Sequence, residues 1–464
     1  MRLFILAVAA VFVSAPAAMA QSPASGSKPT LDFGFYRARI EPMFLVKRPG
    51  NIRCAECHER GAGALRFQPL EAGGAGWSEE NSRKNFTAVS AFVVPGDPKT
   101  SRLLQHPLER DSGGDPFHGG GKHWSADDAE YRTLAAWVRG ETRSAPRTVA
   151  RIIQTNAAGD DSHVIDPVTN TVVGVINDIR IPHGITSAPD GSRVYISNEA
   201  LHTLDAVDAR SLSVIARVPL SGRPNNVAIS KDGRKVYVGI AQAPGALDVI
   251  DTIALKNVKT VPVTGAIHNV YVTPDGKFAV AGSIPASAIS IVDTSTDQMV
   301  RTIKMTAGVR PMAFDTNPDG STRRIFVQLS NYHGFAVVDF ASGQEVARIE
   351  HPPIPGVHAH NDGLQAAPAH GLGVTPDGKQ LWSTSKVYGY AYVHSLPDLK
   401  EIARVFVGQH PEWVTFSPDG RRIYIAAAGD NQTFVVDTST FKEVARIPVG
   451  QVPKRNGTVM LQTN

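Results

Sequence analysis

The segment Pro189-Asp190-Gly191-Ser192-Arg193-Val194-Tyr195-Ile196-Ser197-Asn198 decides the fold of most of this chain. Asp-Gly favours a tight turn, because glycine adopts the left-handed backbone conformation at no steric cost. The β-branched and aromatic residues that follow read as a strand. The same x-Asp-Gly element, each time ahead of a β-rich run, recurs at Asp232, Asp275, Asp319, Asp377 and Asp419. A second element, Val or Ile before Asp, falls at Asp166, Asp208, Asp251, Asp293, Asp339 and Asp437, with Val393-His394 in the remaining slot. Successive spacings of 42, 43, 42, 46, 55 and 43 residues define seven units. A period of about 40 residues with four short strands is a propeller blade.

Six turns against seven Val-Asp elements leave one unit incomplete. The chain enters the repeat partway through a unit, at Val149 to Ile176, and ends on the apolar run Gly457-Thr458-Val459-Met460-Leu461. Pairing that run with the first strands completes the seventh unit and leaves no free sheet edge. Residues 149–464 are therefore expected to form an all-β seven-bladed propeller. The repeat text, including Val236-Tyr237-Val238 and Ile423-Tyr424-Ile425, resembles the YVTN-type propellers. The resemblance implies a fold but no single function, since such propellers serve as sensors, scaffolds and redox enzymes.

The remainder of the 464 residues has a different character. With 42% hydrophobic and 19% charged residues the chain is neither disordered nor collagen-like. A net charge of +4 without any Lys/Arg-rich run argues against nucleic acid as a partner. Residues 1–20 read as a signal peptide: Arg2, an apolar run from Leu3 to Val13 too short to span a bilayer, and Ala18-Met19-Ala20 before Gln21. No later stretch approaches 18 apolar residues, so an exported protein with no transmembrane segment is expected, in a bacterial periplasm.

Export makes the two cysteines informative. They lie in Cys54-Ala55-Glu56-Cys57-His58, the C-x-x-C-H pattern of covalent c-type haem, in which two thiols reach the two vinyl groups and the next residue places an imidazole under the iron. A thioredoxin-like pair gives no reason for His58, and a zinc site would need further thiols or a second close ligand pair, whereas the chain has no other Cys. Met43, the one Met between Gln21 and the end of this region, precedes the motif. His106, His118 and His123 follow it. The stretch from Gly113 to Gly121 reads as a loop, and Trp124 to Asp128 leads into an N-capped helix through Tyr131, Leu134, Ala135, Trp137 and Val138.

With its later H-x-G-G and D-x-x-Y-x-x-L-x-x-W elements, the region 35–140 resembles the bacterial monohaem cytochrome c domains. The resemblance implies a small all-α domain, assigned to residues 30–142, with one haem c on Cys54 and Cys57, His58 as proximal ligand and His118 as distal ligand, His123 being next in line. A short polar linker, Glu141 to Arg147, separates it from the propeller.

Eleven of the fifteen histidines lie in the propeller. Counting seven residues back from each turn Asp reaches the start of the innermost strand, beside the central channel. Those places hold His183, Asn225, His268, Met312 (or Pro311, given a two-residue insertion), His370 and Glu412. His351, His358 and His360 sit in an insert, Ile349 to Pro368, that reads as a lid on the same face, whereas His394 is expected on the opposite one. Neutral imidazoles converging on a channel suit copper, zinc or iron, and they also suit plain hydrogen bonding to neighbouring backbone. His183, His268 and His370 are the candidate metal ligands, with Glu412 as a fourth ligand or general base.

Two functions follow. In one, the haem exchanges electrons with a copper site or second haem in the propeller mouth, a layout similar to the cytochrome cd1 nitrite reductases, from which seven blades instead of eight depart. Such an oxidoreductase would act on a small-molecule substrate. In the other, the haem is the single redox centre and the propeller docks a redox partner protein.

Overall fold

The computed structural model describes residues 29–47, 53–61, 63–70, 76–118, 121–141 and 148–463. The expected signal peptide lies outside them, as does the linker after Glu141. The chain divides into two compact units, Met1–Ala145 and Pro146–Asn464.

Among the described residues the regular elements of the first unit are helical, apart from an isolated bridge between Leu108 and Trp124. Short helical turns run from Phe33 to Leu45 and are followed by helices Cys54–Glu59, Glu79–Ser90, Arg102–Gln105 and Ala129–Val138. Ser78 caps the second of these by accepting the Asn81 N–H at 3.3 Å. Asp128 stands at the N-cap of the last one but turns its carboxylate back to the Ser125 N–H, 2.7 Å away. An aromatic cluster joins the first turns to the last helix: the Tyr36 ring lies 5.3 Å from Phe86 and 5.7 Å from Trp137. The Trp137 indole N–H donates to the Asp32 carbonyl at 3.0 Å, which satisfies the one polar atom this large side chain brings inside. Met43 is buried in the same core, so its role here is packing.

The second unit is a seven-bladed propeller of antiparallel four-stranded sheets. The inner strands of blades 1 to 6 are Pro182–Ser187, Pro224–Ile229, Ile267–Val272, Val309–Thr316, Ala369–Val374 and Pro411–Phe416. The inner strand of blade 7 is the last of the chain, Pro453–Gln462, paired antiparallel with Thr148–Asn156. Neighbouring inner strands pack side by side around the whole circle, the last against the first. The ring thus closes by hydrogen bonds between the two ends of the repeat.

Local chemistry enforces the blade. At four of the six Asp-Gly turns a Ser or Thr two residues earlier donates its hydroxyl to the Asp, as from Ser230 to Asp232 at 2.6 Å and from Thr273 to Asp275 at 2.7 Å; at Asp190 and Asp319 a Ser two residues later does so. Gly191 in the first turn has φ +72, a conformation a side chain would strain. The Asp ending the third strand accepts backbone N–H groups two and three residues on, as Asp208 does from Arg210 (3.2 Å) and Ser211 (2.9 Å). Gly184 follows His183 because the neighbouring inner strand comes so close that a Cβ there would lie 2.7 Å from the Asn226 Cα. Between each pair of adjacent blades lies one apolar cluster; Tyr195, Leu204 and Val218 of blade 1, for example, meet Val227, Val236 and Val238 of blade 2. On the outermost strands Glu-to-Arg pairs three residues apart, such as Glu443 with Arg446 at 2.8 Å, put charge along exposed edges.

Removing residues 453–464 deletes the inner strand of blade 7 and leaves Thr148–Asn156 as an open edge. The expected result is loss of the cooperative thermal transition, seen by circular dichroism, whereas removing Asn464 alone leaves it in place.

Candidate functional site

In the first unit, helix Cys54–Glu59 puts Cys54, Cys57 and His58 within one helical turn and a half. Residues three and four apart share a helix face, so both thiols and the imidazole project together. The two cysteines are not joined in a disulfide. The His58 Nδ1 lies 3.3 Å from the Leu65 carbonyl oxygen, which can only accept. The hydrogen-bonded tautomer is therefore Nδ1–H, and the lone pair resides on Nε2.

His118 is built the same way. Its Nδ1 donates to the Gly121 carbonyl at 2.6 Å, and partial burial lowers its pKa, favouring the neutral, ligating form. The His58 and His118 rings are 6.5 Å apart between centres and within 23° of parallel. His106 and His123 also gather here, edge-on to His118 at 5.0 and 5.5 Å. His106 is held by Asp115 at 2.9 Å. The structure thus brings His58 and His118 together as a near-parallel pair, with the other two flanking.

In the propeller, the second residue of each inner strand faces the channel mouth. Around the ring these are His183, Asn225, His268, Arg310, His370, Glu412 and Lys454. Blade 4 corrects the sequence assignment: its two inner strands each run eight residues, two more than in blades 1, 2, 3, 5 and 6, so Arg310 holds the place expected for Met312 or Pro311. Met312 is instead a core residue between blades 3 and 4. Lys454 escaped the count because the strand of blade 7 ends the chain with no Asp-Gly turn to count back from. Lys386 and Glu199 were missed as well; each directly follows the second strand of its blade, and that equivalence was the available signal.

The ring residues are engaged with one another. His183 donates Nδ1–H to Glu199, which also meets Arg223 at 3.2 Å. Burial opposes ionisation of Glu199, but His183 and Arg223 outweigh it and hold the carboxyl below its usual range. His268 accepts the Asn269 amide N–H at 2.7 Å, so its own proton is on Nε2. His370 donates Nδ1–H to the Glu412 backbone carbonyl at 2.6 Å. The Glu412 carboxylate lies 2.9 Å from both Lys386 and Lys454 and 3.3 Å from His370. Burial works against its charge, but those three partners keep it ionised far below the ordinary glutamate range. A carboxylate so held is an ion-pair anchor and a poor proton acceptor at neutral pH.

Arg455, the next residue on the last strand, crosses the channel. It is buried, donates to Asn269 at 2.8 Å and Asn225 at 2.6 Å, and its guanidinium lies 4.0 Å over the Trp413 ring. Burial lowers its pKa to about 10, which leaves it fully charged at neutral pH. His268, pushed well below 6.5 by burial and by Arg455, His370, His183 and Arg310, is neutral. The candidate ligands His268 and His370 do meet, with ring centres 6.2 Å apart, while His183 is tied to Glu199. Among the described residues no group of three or more His, Cys, Asp or Glu side chains is arranged to hold a metal ion.

His394 lies toward the Asp-Gly end of its strand, opposite Leu381, but its side chain is buried, with its ring 5.8 Å from His351, which stacks on Tyr392 at 4.3 Å. The two histidines belong to one interior cluster.

No known family model and no curated protein matches this chain. Among solved structures, hydrazine synthase of Kuenenia stuttgartiensis is similar over 62% of this chain and 92% of that one, at 21% identity and a TM-score of 0.54. The periplasmic gluconolactonase of Pseudomonas aeruginosa is similar over 67% of this chain and 99% of that one, at 19% identity and a TM-score of 0.55. A dihydro-haem d1 dehydrogenase covers 78% of this chain and 91% of that one at 18% identity, with a TM-score of 0.49. The first two likenesses show the propeller fold alone. No helix among the described residues is long and apolar enough to cross a membrane.

Burial holds the pKa of His394 near 4 and that of His370 near 3, below the unfolded value of roughly 6.5. As pH falls below that value the unfolded chain takes up protons first, so stability present above about pH 6.5 is lost progressively toward pH 4. Thermal unfolding at constant ionic strength between pH 7.5 and 4.5 will show a falling midpoint, and His394→Asn will flatten the slope. Glu412→Gln, which leaves Lys386 buried beside Lys454, is expected to lower stability by about 3–5 kcal/mol in denaturant titration.

Proposed function

We propose that this chain is an exported, periplasmic electron-transfer protein in which the first unit is a cytochrome c domain and the propeller is a binding module. The near-parallel pair His58–His118 carries the reading. Imidazole nitrogens bind transition metals at about 2 Å, so two rings on opposite sides of one metal have centres roughly 6 Å apart; the observed 6.5 Å fits. Both rings are anchored through Nδ1 to backbone carbonyls, the outer-shell contact that orients a ligating histidine and fixes its tautomer.

Cys54 and Cys57 would hold the haem covalently, and His58 and His118 would ligate its iron. When bound, the haem supplies reversible one-electron transfer, and two imidazoles set a lower potential than a His/Met pair. Leu65 and Gly121 hold the ring orientations. Asp115 anchors His106 beside His118, and Phe67, whose ring is 5.9 Å from His58, gives the proximal side an apolar wall. The redox partner is a second protein.

The propeller mouth suits a role without a metal of its own. Arg310, Lys386, Lys454 and Arg455 surround His268 and His370, and a positive field repels a metal cation. We therefore favour a single haem over a copper centre or a second haem in the propeller.

Expression with c-type haem maturation tests the reading. One covalently attached haem per chain, lost in Cys54→Ser and Cys57→Ser, is expected by denaturing gel with haem stain and pyridine haemochrome. His118→Met should raise the midpoint potential and change the low-spin electron paramagnetic signal. A matured protein without covalent haem would refute the cytochrome reading, and a signal altered by His123→Ala but not by His118→Ala would move the distal ligand to His123.

A further inference from the structure

Arg455 is a buried cation that forms no ion pair among the described residues. Its N–H groups reach neutral acceptors on Asn225 and Asn269, and its Nε has no partner. Amide oxygens satisfy donors without neutralising charge, and an unneutralised charge away from water is heavily penalised. Arg310 is in the same position: buried, it donates to the Ser330 hydroxyl at 3.0 Å and the Gln365 carbonyl at 2.6 Å. The two carboxylates at the ring are already committed, Glu199 to His183 and Arg223, and Glu412 to Lys386, Lys454 and His370. Five cations therefore share two anions.

Arg455 also walls a cavity of about 300 Å³, together with Val227, Val270, Tyr271, Phe314 and Trp413. These residues lie further along the inner strands than His183 or His268, so the cavity occupies the channel on the Asp-Gly side of Arg455. Its volume is at the lower end of small-molecule sites. One cation at the end of an aromatic and aliphatic chamber is the pattern that selects a ligand with one charged group and an apolar body.

We propose that the propeller channel binds a small organic carboxylate, its charge against the Arg455 guanidinium and its apolar body against Tyr271, Phe314 and Trp413. The planar guanidinium matches a carboxylate fork. The apolar walls favour an organic acid over an inorganic oxyanion, which would leave them against water. The inference rests on the propeller alone and stands or falls independently of the haem.

The test is calorimetric titration and thermal shift of the full-length, haem-matured protein with benzoate and hexanoate, against benzamide and sulfate at equal ionic strength. Saturable binding of at least one acid is expected, with benzamide and sulfate weaker by roughly tenfold or more. Arg455→Met should abolish acid binding. Ala228→Phe, at a partly exposed residue of the cavity lining, fills the cavity while retaining Arg455; it should abolish acid binding too and serves where the arginine variant does not fold. Absence of saturable binding by either acid, equal binding of benzoate and benzamide, tighter binding of sulfate, or acid binding that survives Ala228→Phe would each overturn the proposal.

Discussion

The side chain of Arg455 spans the axis of the propeller and ties four of its seven blades together. It leaves the inner strand of blade 7, bonds to Asn225 of blade 2 and Asn269 of blade 3, and rests on Trp413 of blade 6. Its strand is also the one that closes the ring. Thr155 and Gln154 of the first propeller strand hold the Arg455 carbonyl at 3.0 and 2.9 Å. Closure of the ring and filling of the channel are thus one event: the arginine reaches its partners only once the two ends of the repeat have paired. Asn225 and Asn269 then relay the arrangement outward, Asn225 toward Glu199 and Asn269 to His268.

A ring of inner strands fixed in this way leaves the mouth with little freedom to rearrange. Each mouth residue comes from the same position of an equivalent strand, and its orientation is set by a backbone that adjacent blades press from both sides. Gly184 shows how tight the fit is, since the neighbouring strand excludes even a Cβ. Under such constraint, polar groups that face each other must be matched in advance, because a buried partner left unpaired has no route to water. The Glu412, Lys386, Lys454 and His370 group meets that demand. Arg310 meets it through hydrogen bonds but not for charge, and Arg455 leaves its Nε unpartnered as well.

The fold was legible because blade-making residues do their work locally. Asp232 with Ser230, or Asp208 with Ser211, acts within five residues, so a spacing in sequence maps directly onto a turn in space. The shared seventh blade was legible for the same reason, from an excess of one element over another. The mouth was legible only where that counting had a turn to start from. It found His183, Asn225, His268, His370 and Glu412, slipped at Arg310 where both strands gained two residues, and had no purchase on Lys454 and Arg455. Those omissions changed the chemistry: the ring read as three imidazoles and a carboxylate also carries Arg310, Lys454 and, one residue on, Arg455. In the first unit the C-x-x-C-H helix was local and readable. The approach of His118 to His58 across sixty residues of sequence was given only by resemblance.

Neutral histidines occur in both units, and what surrounds them separates their consequences. Burial is the leading cause of the lowered pKa at His118 as at His268 and His370. At His118 the proton is fixed on Nδ1 by a backbone carbonyl, and the facing ring belongs to a helix that also carries two thiols. A lone pair in that setting is free to ligate a metal. At His268 the lone pair on Nδ1 is already occupied by the Asn269 amide, and the next charges outward are guanidinium and ammonium groups. The same imidazole chemistry there favours electron-rich ligands of negative charge. An arginine that completes the ring therefore also sets the polarity of what the channel can receive.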